Sequence, residues 1–432
     1  MRDPDGGDSS GPARAPETLG AETAAILTIG TELCRGELLD GNAAWLAEEL
    51  TSLGAEIVQL RSVDDDRERI ADSLSDLARQ VSLVLVTGGL GPTSDDLTRE
   101  ALADAMGVPL RLEEGILERI RSQWAARGLP MPEPNVKQAW NPEGAELLDN
   151  PIGSAPGLSV KLGQARLILL PGVPREMRHI FEQSVLRRVA PTLRRTSHQL
   201  HLRTFGLRES EIAARLETLG ALPAGVQLGY RAHDPEIEVK ILARAPSAAD
   251  AARAAEALGE RVREALGDVV YGDHADTFAG VVGRALRDRG LRLALAESCT
   301  GGMIGAMLTS VPGSSEFLIL DAVVYANAAK ERLLGVREET LRGHGAVSAE
   351  TAAAMAEGAL RVSGADLALA ITGIAGPSGG SEGRPVGTVF FALSRRSEPT
   401  LTRRAHFPGD RDQIRLRAAY LALDQIRRAA IG

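Results

Sequence analysis

From Ala24 onward the chain alternates short apolar runs with amphipathic stretches, in the order AAILTIG, NAAWLAEELTSLG, EIVQLRSV, RERIADSLSDLARQ and VSLVLVTGG. Strand-length runs separated by helix-length segments leave few folds open, and they predict βαβ units on a parallel sheet. Arg166 to Leu170 adds a strand, Pro171-Gly-Val-Pro174 closes it, and PREMRHIFEQSVLRRV reads as a helix with Pro174 at its start. The alternation resumes at Asp276, with Ala-rich helices predicted at 277–289, 348–363 and 411–429. Between the two regions, 196–272 reads strand, helix, strand, strand, helix, strand, a small α+β unit. The expected fold class is α/β: one domain over 23–195 and another over 273–432, joined by the α+β unit at 196–272. A length of 432 residues suits that division, since a domain commonly takes about 100–200. No fixed-period repeat is present, which argues against a solenoid.

The net charge of −9 argues against nonspecific binding to nucleic acid or to an anionic membrane. Cys34 and Cys299 are too few for a disulfide framework or a cysteine-based zinc site, and a reducing, cytoplasmic compartment is expected. No apolar run approaches the roughly 20 residues that span a bilayer, and the first residues lack the apolar core of a signal peptide. Residues 1–22, rich in Gly, Pro, Asp and Ser, are predicted to be a disordered tail.

In the carboxy-terminal region the apolar run Leu291 to Ala296 breaks into Glu-Ser-Cys-Thr-Gly-Gly302, a small-residue turn that presents a hydroxyl at a sheet edge. Ser298 becomes a nucleophile if a base takes its proton, and Lys330 can do so if burial lowers its pKa. Tyr325, five residues before that lysine, is placed to relay the proton or orient the amine. The amides of Cys299, Thr300 and Gly301 are candidate oxyanion donors. The glycine-rich segment Ile371-Thr-Gly-Ile-Ala-Gly-Pro-Ser-Gly-Gly380 lets backbone approach a phosphate, through Thr372, Gly373, Gly376 and Gly379, with Arg384 just beyond. Each residue also has an ordinary use: Ser298 or Thr300 as a helix cap, Tyr325 in a core, Lys330 on a solvated face, the glycines as a plain connection. Cys299 is a rival nucleophile with no histidine near it in sequence. Arg403, Arg404 and Arg411 are further cations able to meet a phosphate, with a solvated surface the ordinary expectation for each.

In the amino-terminal region the strand VSLVLVT runs into Gly88-Gly-Leu-Gly-Pro-Thr-Ser-Asp-Asp96, a turn of the kind that binds ligands at the carboxyl ends of α/β sheets. Gly88, Gly89 and Gly91 allow close approach, and Asp95 and Asp96 can hold a divalent metal against a diphosphate or cap the next helix. Glu32, Asp40 and Asn42 form a second polar cluster.

The motifs AESCTGG, VVYANAAKERLLGV, HGAVSAETAAAMAEGA, ITGIAGPSGG with PVGTV, and HFPGDRDQIR resemble, in order, those of the CinA carboxy-terminal domain family. That resemblance implies an amidohydrolase that deamidates nicotinamide mononucleotide to nicotinate mononucleotide and ammonia without a cofactor. The family's Ser, Tyr and Lys fall on Ser298, Tyr325 and Lys330. YANAAK departs from the usual Tyr-Ser-Asn-Glu-Ala-Lys, which puts the orientation of Lys330 in question, and Ser378 stands in a glycine position of the usual GPGGG.

IGTEL, LLDGNAAWLAEEL, TGGLGPTSDDLTREALA, PNVKQAW and LLPGVPREM resemble the molybdopterin-binding-like domain that begins full-length CinA proteins. It implies metal-dependent hydrolysis of ADP-ribose, with Asp40, Asp95 and Asp96 toward a divalent metal of unassigned identity. Glu32, Asn42, Gly88, Gly89, Gly91 and Lys137 then face the nucleotide, and a monovalent cation is a further candidate. LLDGN and LCRGE depart from that domain's commoner motifs. The segment 196–272 resembles the KH-like domain of the same proteins but has no GXXG loop with flanking lysines, so RNA binding is not expected. A homodimer is expected. The alternatives are a molybdopterin- or nucleotide-binding protein without pyrophosphatase activity, or a competence-related scaffold.

Overall fold

The computed structural model describes residues 23–431; the tail expected at 1–22 lies outside the described residues. The described chain forms two compact units, one running to Gln199 and taking in Ala243–Ala254, the other comprising Leu200–Leu242 and the chain from Ala255. The segment 196–272 is distributed over both. Among the described residues no helix is long and apolar enough to cross a membrane.

The amino-terminal sheet has six strands in the order Glu56–Val63, Thr23–Ile29, Leu83–Thr87, Ala165–Leu170, Gly157–Leu162 and Glu146–Leu148. The first four are parallel, as the βα alternation predicts. Thr23–Ile29, Leu83–Thr87 and Ala165–Leu170 are nearly all apolar because both their faces are covered, whereas the edge strand Glu56–Val63 mixes polar and apolar residues. Leu27, Val84, Val86, Leu167 and Leu169 pack with Ile70, Leu74 and Leu77, while Ile26, Leu85, Ile168 and Leu170 pack with Leu46, Leu50 and Phe181. The last two strands, which were not assigned from sequence, are antiparallel. Gly157–Leu162 and Ala165–Leu170 are joined by Gly163 and Gln164 alone, with Gly163 at φ 60°, and so short a connection can make only a hairpin. The segment read as one helix from Pro174 is α-helical over Pro174–Ile180, widens into a π-turn at Phe181–Val185 and regains the α form at Leu186–Val189.

The middle segment follows the predicted order, with the four strands side by side as Val226–His233, Glu236–Ala245, Thr196–Phe205 and Val270–Asp273.

The carboxy-terminal sheet runs Leu318–Val323, Leu293–Glu297, Leu367–Gly373, Thr388–Arg395 and Leu401–His406. The central sequences LALAE and LALAITG alternate leucine with alanine, and alternation sends the two residue types to opposite faces. The leucine face packs with Val282, Leu286, Ile414 and Leu423; the alanine face packs with Met355, Ala356 and Ala359 of the helix Ala349–Ser363. The first three strands are parallel and the last two antiparallel, so the βα alternation does not persist to the end. No helix lies between Gly373 and Thr388, and a parallel return needs a crossover.

Candidate active site

Three parallel strands of the carboxy-terminal sheet end side by side, and the turns that leave them enclose a cavity of about 180 Å³. Ser298 follows Leu293–Glu297, its amide donating to the Ile371 carbonyl at 3.1 Å. Val324 and Tyr325 follow the neighbouring strand, and Thr372 and Gly373 close the third. The expected helix after AESCTGG spans Met303–Thr309 and begins after Gly302, so neither Ser298 nor Thr300 caps it. Its first amides are met instead by Glu297, fully buried, whose carboxylate accepts from Gly302 at 3.0 Å and Gly305 at 2.8 Å. That pair of bonds fixes the turn carrying Ser298. Behind it, burial and the neighbouring Glu297 raise the carboxyl of Asp321 to about 7.

Lys330, on the helix Asn327–Leu334, is 1% exposed. Its Nζ lies 3.2 Å from Ser298 Oγ, 2.8 Å from the Val324 carbonyl and 3.0 Å from the Tyr325 carbonyl. Burial lowers its pKa from the ordinary lysine value. The solvated-face alternative is thereby overturned. The amine is oriented by two main-chain carbonyls, so Ala328, exposed where the family carries glutamate, removes nothing that holds it.

Tyr325 corrects an expectation. The residue is 64% exposed and its phenol oxygen accepts from Arg411 at 3.3 Å, while only its carbonyl touches Lys330. It is neither a core residue nor the group that orients the amine through its hydroxyl. Cys299 lines the cavity from the hydrophobic core, and burial pushes its thiol up to about 12, which disfavours the thiolate that a rival nucleophile needs. Of the expected oxyanion donors, the Gly301 amide already donates to Ser298 O at 3.1 Å, and those of Cys299 and Thr300 approach the Cys299 sulfur. Thr372 and Gly373 line the cavity; Gly379 and Arg384 do not. Arg384 donates to the His344 carbonyl at 2.8 Å, and Gly376 supplies a carbonyl that Arg411 grips at 2.6 Å. Of the three arginines weighed as phosphate-meeting cations, Arg411 lines this cavity and Arg403 and Arg404 do not. The place of Arg411 in the HFPGDRDQIR motif was the available signal.

A second cavity, of about 260 Å³, lies past the carboxyl ends of the amino-terminal parallel strands and is lined by Glu32, Asp40, Asn42, Thr87 and Gly88 among others. Gly88 has φ 109°, and a Cβ there would stand 2.1 Å from the Ile29 carbonyl oxygen, so the turn requires glycine. Asn42 donates to Gly172 O at 2.8 Å. Lys137 pairs with Glu100 at 3.2 Å and donates to Thr93 O at 3.2 Å, apart from this lining. Gly89, Gly91, Asp95 and Asp96 are likewise outside it.

The three aspartates expected to hold a divalent metal do not converge. Asp40 caps the helix Gly41–Leu53, accepting from Ala43 N at 2.8 Å; Asp96 accepts from the Thr93 amide at 2.8 Å and from its hydroxyl. Among the described residues the one trio of His, Cys, Asp or Glu with ligand atoms mutually within 4.8 Å is His201, Glu238 and His274. The amino-terminal residues therefore do not fit a three-aspartate metal centre.

Comparison with known proteins gives matches along the described chain. A family model described as "CinA C-terminal domain" matches residues 275–430, "Probable molybdopterin binding domain" matches 25–195, and "Damage-inducible protein CinA KH domain" matches 199–272. A CinA-like protein of Anaeromyxobacter sp. (strain K) is 44% identical over 406 residues, covering 94% of this chain and 98% of the relative. One from Geobacter sulfurreducens is 44% identical, again over 94% of this chain and 98% of its own length. A solved CinA superfamily protein from Klebsiella pneumoniae is 40% identical, with a TM-score of 0.35, over 36% of this chain and 96% of that one.

Proposed function

The chain belongs to the CinA family, and from that premise we propose that its carboxy-terminal domain hydrolyses the carboxamide of a pyridine nucleotide, nicotinamide mononucleotide, releasing ammonia. The observation that carries this reading is the buried Lys330 amine 3.2 Å from the Ser298 hydroxyl. A neutral amine has two hydrogens and one lone pair. The Val324 and Tyr325 carbonyls account for the hydrogens, which leaves the lone pair for the Ser298 proton. Cys299, kept as a thiol, supplies no anion to hold the lysine charged.

Ser298 Oγ attacks the amide carbon as its proton passes to Lys330 Nζ. The tetrahedral adduct collapses when the ammonium returns that proton to the leaving nitrogen, so ammonia departs and an ester to Ser298 remains. Lys330 then takes a proton from a water that attacks the ester carbon and returns it to Ser298 Oγ as the acyl–Oγ bond breaks, giving free serine and an acid that loses its proton to solvent as the carboxylate. A cavity of about 180 Å³ suits the amide-bearing end of the substrate, with Arg411 on hand for a phosphate. The test is ammonia release from nicotinamide mononucleotide by the full chain. Ser298→Ala should abolish it and Cys299→Ala should leave it. The opposite pattern would move the nucleophile to the thiol.

The amino-terminal cavity supports nucleotide binding through Glu32, Asn42 and the Gly88 turn, with ADP-ribose as the substrate the family resemblance suggests. No hydrolytic step is assigned to it, because the expected metal ligands do not converge.

A further inference from the structure

Outside both cavities, the middle sheet places three metal-ligating side chains together without any local motif. His201 lies on Thr196–Phe205, a central strand of the sheet, and Glu238 on its neighbour Glu236–Ala245. On the other side, Asp273 pairs antiparallel with Leu202, so the next residue, His274, comes opposite His201. Glu238 Oε1 is 3.1 Å from His201 Nδ1 and 3.5 Å from His274 Nδ1. The two rings meet edge to face with centroids 4.7 Å apart.

We propose that His201, Glu238 and His274 bind a divalent transition-metal ion of the zinc class. Two imidazoles and a carboxylate are a ligand set zinc accepts, with the fourth position left to water. Zinc–ligand bonds of about 2.0–2.1 Å in a tetrahedron set the ligand atoms roughly 3.3 Å apart. The two measured separations bracket that spacing. His274 is 70% exposed, which gives an ion its entry path, whereas Glu238 is buried and fixed. The other carboxylate oxygen, Oε2, lies 3.6 Å from Lys240 Nζ, an outer partner that orients it. The ion would fasten Val270–Asp273, the last strand of the sheet, to the central strand.

The competing account is that both imidazoles simply donate hydrogen bonds to one oxygen. The full chain, stripped with a chelator and titrated with zinc chloride, separates the two. The unaltered protein should bind one more equivalent of zinc than His274→Ala, and cobalt(II) should give the visible absorption of a tetrahedral site only in the unaltered protein. Apparent affinity at this site should fall by at least about 100-fold, the upper end of what losing an outer partner alone costs. Glu238→Gln, which keeps the side chain's shape, should behave as His274→Ala does and serves if that variant folds poorly. Zinc bound elsewhere in the chain appears in all three proteins and cancels. Equal zinc stoichiometry and identical cobalt spectra in the unaltered protein and both variants would overturn the site.

Discussion

The two cavities occupy the same topological position, past the carboxyl ends of parallel strands, yet the base expected at one and the acids expected at the other are bonded in opposite ways. In the carboxy-terminal cavity Lys330 reaches across from its own helix to the turn of another strand, and Ser298 waits there. In the amino-terminal region the acids bond to their own neighbourhood: Asp40 to Ala43, Asp96 to Thr93. Both regions carry equally dense motifs. A side chain whose hydrogen-bonding capacity is used within its own turn shapes that turn, and one held across the sheet ends is available for chemistry.

The largest effect that can break this contrast is at Lys330. Lys330→Met keeps an unbranched side chain in the buried site and removes the base, so kcat/KM for ammonia release should fall by about 10²–10⁴-fold. The pH profile sharpens the point. Burial lowers the lysine pKa, so the neutral base accumulates at a pH below the ordinary value of 10.5. Activity should therefore rise with pH along a limb whose midpoint lies below that value. A midpoint at or above it would mean that the amine is not desolvated in solution and that the two cavities differ less than described.

A smaller effect tests the other side. If Asp40 acts as a helix cap, Asp40→Ala should lower stability by about 0.5–2 kcal/mol in denaturant titration and leave any ADP-ribose turnover unchanged. Turnover reduced by orders of magnitude, with stability intact, would make Asp40 a metal ligand.

Much of this was legible from residue pattern alone. The Leu/Ala alternation of LALAE and LALAITG carried both the strands and the two faces they cover, and Ser298 and Lys330 stood in motifs whose order already paired them. The antiparallel edges were not legible, because a strand's apolar run does not record its direction; only the length of its connection does. Arg411 could not be told from Arg403 and Arg404, since a lone arginine is ordinarily solvated and only the folded loop brings the Gly376 carbonyl to it. His201 and Glu238 lie on neighbouring strands and His274 just past the end of a third, far apart in sequence, so no spacing rule could have joined them.

The smallest predicted effect falls on the residue whose role changed most between sequence and structure. With an exposed phenol directed to Arg411 and only a carbonyl on Lys330, Tyr325 holds the base through its backbone, which a side-chain change leaves in place. Tyr325→Phe removes one exposed hydroxyl, a change worth within about 0.5 kcal/mol at an ordinary surface position, so kcat should shift by about twofold or less. KM for the nucleotide can move slightly if Arg411 reorients once its 3.3 Å contact is gone. A fall in kcat approaching that of Lys330→Met would place the phenol in the proton path. The carboxy-terminal site would then work as a three-residue relay that closes on substrate, in place of the serine and lysine pair seen here.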